Sequence, residues 1–169
     1  MTDTERNQIF EEWIEAHKAI LFKVVRAYGT SHPDREDLFQ EIAVQVWHSV
    51  EAFRGDASVS TWIYRVALNT ALAWNRKERK HGTGRQEFEA VSGLLTAPET
   101  RDPRLEWVYA QIAELDEVNR SLALLMLEGF SYREMSRILG LSESNVGVKI
   151  NRIKAALAAQ LAKEEHDGL

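Results

Sequence analysis

Apolar residues recur every three or four positions along most of this chain, and the longest lapse in that rhythm covers residues 82–104. Three-and-four spacing is the period of an amphipathic α-helix, whereas a half-buried strand alternates every second residue. The chain is therefore expected to be all-α, with two small helical domains joined by a flexible linker. The interrupting stretch, GTGRQEFEAVSGLLTAPETRDPR, holds two of the three prolines and three of the nine glycines, residues that stop helices and loosen chains. A short helical stretch at Glu87–Val91 is the one element expected inside it. The division is then 1–81 for the first domain, 82–104 for the linker and 105–169 for the second domain. A length of 169 residues suits two such bodies, with no third.

Three helices are expected in the first domain. Residues 7–28 carry Ile9, Trp13, Ile14, His17, Ile20, Leu21, Val24, Val25 and Tyr28 on one stripe, with Gly29 as the stop. A second helix starts near Asp34, capped by Ser31 or Asp34. Its ridge is Leu38, Ile42, Val46 and Val50, widened by Phe39, Ala43, Trp47 and Phe53. Trp13 and Trp47 read as core. The sequence RGDASVS then turns the chain into a third helix over 61–80, apolar at its start and basic in NRKERKHG at its end. A helix C-terminus favours cations, but five basic residues there exceed what capping requires.

The second domain opens with Leu105, Val108, Ile112 and Leu115 on one stripe, followed by a short helix from Asp116 to Gly129. Ser131 and Glu134 have the spacing of a capping box. Met135, Ile138 and Leu139 face inward, Gly140 turns the chain, Leu141 plugs the turn and Ser142 caps the next helix. Val146, Ile150, Ile153 and Leu157 form that helix's buried stripe. This is helix-turn-helix patterning, in which the second helix projects one face into the DNA major groove. Glu143, Ser144, Gly147, Val148, Asn151 and Arg152 are then exposed, with Lys149 and Lys154 placed for phosphates. A plain helical bundle with a capped hairpin fits the same pattern.

The net charge of −5 is unevenly distributed. Residues 52–85 carry seven basic and two acidic groups, and 128–160 carry five and three, while the remainder is acidic. Two basic islands in an acidic chain suit a protein that meets nucleic acid at two places and something else over the rest of its surface. The first island interleaves aromatics (Phe53, Trp62, Tyr64, Trp74) with cations (Arg54, Arg65, Arg76, Lys77, Arg79, Lys80), as single-stranded nucleic acid requires. Solvated helix faces would give the same islands. With no cysteine there is no disulfide, thiolate metal site or cysteine nucleophile. The five histidines lack zinc spacing, and neither a glycine-rich phosphate loop nor a nucleophile elbow is present, so no enzyme, metal or cofactor is expected. No apolar run is long enough for a membrane span, and the acidic, polar start lacks the features of a secretory signal, so a cytoplasmic location is expected.

Taken together, DREDLFQEIAVQVWHSVEAFRGDASVSTWIYRVALNTALAWNRKERK resembles region 2, and LDEVNRSLALLMLEGFSYREMSRILGLSESNVGVKINRIKAAL region 4, of the extracytoplasmic-function sigma factors of bacterial RNA polymerase. The specific points are the D-L-x-Q-E helix, the F-R-G loop leading to T-W, and the Y-R-V-A-x-N helix with its basic end. The resemblance implies a non-enzymatic protein that binds core RNA polymerase and directs it to promoters. It implies polymerase docking through Asp37, Gln40 and Glu41. It implies capture of a flipped minus-10 base by the loop Gly55, Asp56, Ala57, Ser58 and Ser60. Trp62, Arg65 and Asn69 would lie along the adjoining strand, and Arg76, Arg79 and Lys80 would hold the upstream duplex. An anti-sigma factor is a further implied partner, and the linker would thread toward the RNA exit path.

The chain departs from the family at two places. Primary sigma factors have paired aromatics where it has Trp62–Ile63. Many relatives have a basic residue at the place of Gly147 and an aromatic at that of Asn151. Minus-35 readout is then expected from Ser144, Asn145, Val148, Lys149, Asn151 and Arg152, with closer backbone approach at Gly147. Two rival readings use the same features: a stand-alone DNA-binding regulator with a sensor or dimerisation domain over 1–81, and a protein-interaction module that sequesters a regulator.

Overall fold

The computed structural model describes residues 1–81 and 102–168, residues 78–81 as backbone only. The expected linker thus lies largely outside the described residues, and the helical stretch expected at Glu87–Val91 wholly so. The chain divides into two compact units between Arg101 and Asp102. The described residues contain helices and no strand: α1 (Asp3–Tyr28), α2 (His32–Ser49), a 3-10 turn (Val50–Ala52), α3 (Val59–His81), α4 (Pro103–Ala113), α5 (Glu117–Leu127), α6 (Tyr132–Leu139) and α7 (Glu143–Asp167).

In the first unit α1, α2 and α3 each pack against the other two. Their shared interior is Leu21, Val24, Leu38, Ile42, Val46, Ile63, Ala67, Leu68 and Ala71, all without solvent exposure. Each large aliphatic side chain removed from water in this way contributes about 1.5–3 kcal/mol. Helix α1 begins four residues before the expected start, because Thr2 and Glu5 form a capping box that the apolar period cannot reveal. It is kinked at His17, where φ is −128° and ψ 15°. Gly29 ends it with φ −81°, so no left-handed residue is involved. Glycine is needed there for space: a Cβ would lie 2.5 Å from Cγ of Arg35, whose Nε donates to the Gly29 carbonyl (3.2 Å). Ser31, rather than Asp34, caps α2, accepting the Asp34 amide at 3.2 Å. Asp34 is buried and accepts from the Thr30 hydroxyl (2.8 Å).

Trp13 and Trp47, expected in the core, are only half-buried. Each has a polar or edge-on contact at the rim. The Trp47 indole N–H donates to Asn7 Oδ1 (2.7 Å), and the Arg6 guanidinium lies 4.3 Å above its ring. The interior is already filled by aliphatic side chains, and an indole suits the boundary, where its N–H finds a partner.

In the second unit α4 packs on α5, and α5 and α6 pack on α7. Ile112, Leu122, Leu125, Met135, Val146 and Ile150 are almost wholly buried. Helix α4 starts at Pro103, inside the segment assigned to the linker, because Asp102 caps it and proline is favoured at the first helical position. Leu105, expected on the apolar stripe, is exposed, while Leu139 and Leu157 are half-buried. Arg120 closes the α4–α5 turn by donating from Nη2 to the carbonyls of Ala113 (2.9 Å) and Leu115 (3.1 Å). The Ser131–Glu134 box, left-handed Gly140 (φ 72°) and the Ser142 cap are all present. The Ser136 hydroxyl adds a bond to the Leu141 carbonyl across the turn.

The capping box carries a pH signature. The backbone N–H and then the hydroxyl of Thr2 donate to the Glu5 carboxylate and hold its carboxyl below the usual range. The fold favours the charged form, so this contribution is complete above the ordinary glutamate value and lost as pH falls through the lowered one. Amide protection factors in the first turn of α1 are expected to fall below about pH 4, and Glu5→Gln should abolish the step. Hydrogen exchange followed by NMR across acidic pH checks this.

Candidate nucleic-acid and polymerase interface

Helix α3 has two faces. Ile63, Tyr64, Ala67, Leu68, Ala71 and Trp74 enter the interior, whereas Arg65, Asn69, Arg76 and Lys77 are exposed. Arg65 and Asn69 are one turn apart, and Arg76 lies two turns further, so the row spans about 16 Å at 1.5 Å per residue. Tyr64 and Trp74 are therefore removed from the set of aromatics expected to meet nucleic acid: both are buried. Arg79 and Lys80 lie where side chains are outside the described residues. Trp62, half-buried, stands at the start of the exposed row. Its indole N–H donates to Ser49 Oγ (3.1 Å), and its ring meets Phe53 at 5.6 Å and 63°. It is a fixed wall rather than a free wedge.

The loop before α3 is held at its end by Ser58, whose Oγ accepts the Thr61 amide (3.2 Å) and lies 3.0 Å from Ser60 Oγ. These hydroxyls serve the helix cap. The exposed members are Arg54, Gly55, Asp56, Ala57 and Ser58, and Gly55 has φ 79°, a left-handed value that favours glycine. The loop therefore offers short side chains and backbone groups beside a fixed indole and a guanidinium.

On α2, Leu38, Ile42 and Val46 face inward. Of the three residues expected to dock polymerase, only Glu41 is fully exposed; Asp37 and Gln40 are half-buried. The three residues implied by the resemblance are therefore not equally exposed. Asp37 Oδ2 accepts the Trp74 indole N–H (3.1 Å), so Asp37 also ties α2 to α3. Glu41 accepts from Gln45 (3.4 Å). Val44, 48% exposed, joins the same face at three and four residues from Glu41 and Gln40. Sequence reasoning missed it; the signal was its place off the Leu38–Ile42–Val46 ridge.

On α7, Ser144, Asn145, Val148, Asn151, Arg152 and Lys154 are exposed, and Lys149 is half-buried. Val148, at 46% exposure, is an apolar group on an otherwise polar face, suited to a thymine methyl. Gly147 departs from expectation. It is half-buried, and a Cβ built there would lie 3.5 Å from the Tyr132 ring at the start of α6.

Residues 13–81 match the family Sigma-70 region 2, and residues 105–157 match Sigma-70, region 4. The chain belongs to the extracytoplasmic-function sigma factors. It is similar to the RNA polymerase sigma factor CnrH of Cupriavidus metallidurans, 29% identical over 164 residues, covering 90% of this chain and 86% of that one. It is similar also to YlaC of Bacillus subtilis (27% identity; 78% of this chain and 80% of that one) and to the sigma-E factor of Escherichia coli (27%; 73% and 72%). Among solved structures, CnrH in complex with the cytosolic domain of CnrY matches with a TM-score of 0.65 at 25% identity, over 94% of this chain and 90% of that one. RpoE of Bartonella quintana in complex with the anti-sigma factor NepR matches in fold, with a TM-score of 0.67 at 18% identity, over 92% and 96%. The chain is a promoter-directing sigma factor that binds core RNA polymerase and promoter DNA, and its family is non-enzymatic. No described helix is long and apolar enough to cross a membrane.

In this sigma factor Gly147 lies inside α7, where glycine carries a helix-propensity penalty. The added methyl of Gly147→Ala meets Tyr132 at ordinary contact distance and removes the glycine penalty of a helix interior. The variant should be more stable by about 0.5–1 kcal/mol, read from urea unfolding.

Proposed function

We propose that the two units of this sigma factor divide promoter reading, the first taking the minus-10 element with core polymerase and the second the minus-35 element. The observation that carries the reading is the exposed row Arg65, Asn69 and Arg76 on α3, headed by the half-buried Trp62 and preceded by the exposed loop Gly55–Ala57. Cations spaced along a helix follow a phosphate backbone, and the loop with its indole wall supplies a place for an extruded base. Ser58 and Ser60 contribute through the cap that fixes the loop. Arg79 and Lys80 extend the basic row in sequence. Asp37, Gln40 and Glu41, joined by Val44, form the polymerase-docking face of α2.

In the second unit Ser144, Asn145, Val148, Asn151 and Arg152 meet minus-35 base edges, while Lys149 and Lys154 meet phosphates. Gly147 lies on the same helix, between the exposed Asn145 and Val148. Segment 1–81 is the region 2 body, and the region 4 body starts at Asp102, which caps α4. The protein works in the cytoplasm, where polymerase is, and catalyses no reaction of its own. An anti-sigma factor restrains it; two sigma factors of similar fold form complexes with such regulators or their cytosolic parts.

Reconstitution with core polymerase and run-off transcription from a genome library tests the reading as a whole. Two substitutions test its parts. Arg152→Ala should weaken promoter binding by the holoenzyme about tenfold at fixed salt; unchanged affinity in a filter-binding or anisotropy titration counts against minus-35 contact by this residue. Asp37→Asn retains an acceptor for Trp74 and removes the charge. It should lower affinity for core polymerase several-fold with an unaltered melting temperature, as measured by calorimetry and a core-binding titration.

A further inference from the structure

We propose that Trp13 is a positioning residue for minus-10 recognition, acting through Phe53 on the loop Arg54–Ala57 and on Trp62; this rests on the assignment of that loop to base capture. The loop has two anchored ends. Its far end is held by the Ser58 cap. Its near end is Phe53, whose ring sits between two others: Trp13 at 5.2 Å and 86°, and Trp62 at 5.6 Å and 63°. Both pairs are edge-to-face, the geometry aromatic quadrupoles favour. Trp13 therefore lies two ring contacts from the indole beside the loop, although α1 contributes nothing to the exposed row on α3.

The segment bearing Trp13 is itself tied down. Arg6 pairs with Glu51 and covers the Trp47 ring, and Asn7 accepts the Trp47 indole N–H. These partners lie on α2 and the 3-10 turn that leads into Phe53. The kink at His17 separates this segment from the half of α1 that enters the interior, Ile20–Tyr28. Trp13 and Phe53 are both half-buried, at the rim of an interior already filled by Leu21, Leu38, Ile42 and Leu68. The ring row thus adds orientation at the loop's base more than volume to the core. A pocket that takes a base out of the stack must be held in its receiving geometry beforehand, and a loop pinned at one end alone would not be.

The test uses the full chain bound to core polymerase, on a promoter recovered by run-off transcription. The template is premelted across minus-10, with each of the four bases placed in turn at each non-template position. The wild-type protein should favour one base at one position. Trp13→Met keeps apolar bulk without a ring and should narrow that preference about fivefold, the scale of one edge-to-face pair. Core-polymerase affinity and the minus-35 footprint should be unchanged. Trp13→Phe, which restores an aromatic edge, should restore the preference. Should Trp13→Met fail to fold by circular dichroism, Phe53→Leu is read in the same way. A variant that keeps the full preference, or that loses transcription evenly over all four bases, overturns the positioning role and leaves base capture standing. A wild-type protein without preference at any position overturns base capture and this proposal with it.

Discussion

Two indole N–H bonds fix how α2 lies against α3, and the first unit depends on that register. Trp62 donates to Ser49 at the end of α2, and Trp74 donates to Asp37 near its beginning. The two donors are twelve residues apart on α3 and the two acceptors twelve apart on α2, about 18 Å on each helix. Hydrophobic burial drives the helices together without direction, and apolar ridges fit one another in more than one register. A slip would leave both half-enclosed N–H groups unpaired, at about 1–3 kcal/mol each. The bonds therefore contribute specificity more than net stability. They set the acidic face of α2 and the basic row of α3 at a defined spacing.

The same division between burial and exposure runs through both units. On α3, Ile63, Ala67 and Ala71 face inward while Arg65, Asn69 and Arg76 face out. On α7, Val146, Ile150 and Ile153 face inward while Ser144, Val148, Asn151 and Arg152 face out. Each helix is held rigidly by one side, so the other can present side chains without rearrangement. Local charge on these faces matters more for binding than the overall acidity of the chain, because close phosphates feel the nearest cations most strongly.

Much of this was legible before any coordinates. The Ser131–Glu134 box, the Gly140 turn and the Ser142 cap were visible because capping and left-handed turns are local chemistry at fixed offsets. The Leu38–Ile42–Val46 ridge was visible because helical period reports the buried face. What could not be read was which apolar residues near an element's edge find a partner. Leu105 keeps to helical spacing yet is exposed, since nothing packs over it in its own unit. Trp13 and Trp47 look like core residues by period and sit at the rim. Gly29 looks like a left-handed stop and is instead a point of close approach by Arg35.

The sequence by itself determined the helical class, the two-body division, the turn chemistry of the second unit and the residue types able to meet nucleic acid, because these follow from backbone preference and apolar period within short windows. Only the tertiary structure decided that Asp37 ties helices together as well as facing solvent, that Trp62 is fixed by Ser49, that a side chain at Gly147 would meet Tyr132, and that Trp13 meets Phe53 at the start of the Arg54–Ala57 loop. Each of those pairings joins residues five or more positions apart, most of them on different helices. Their contact depends on how whole elements pack, which no local pattern encodes.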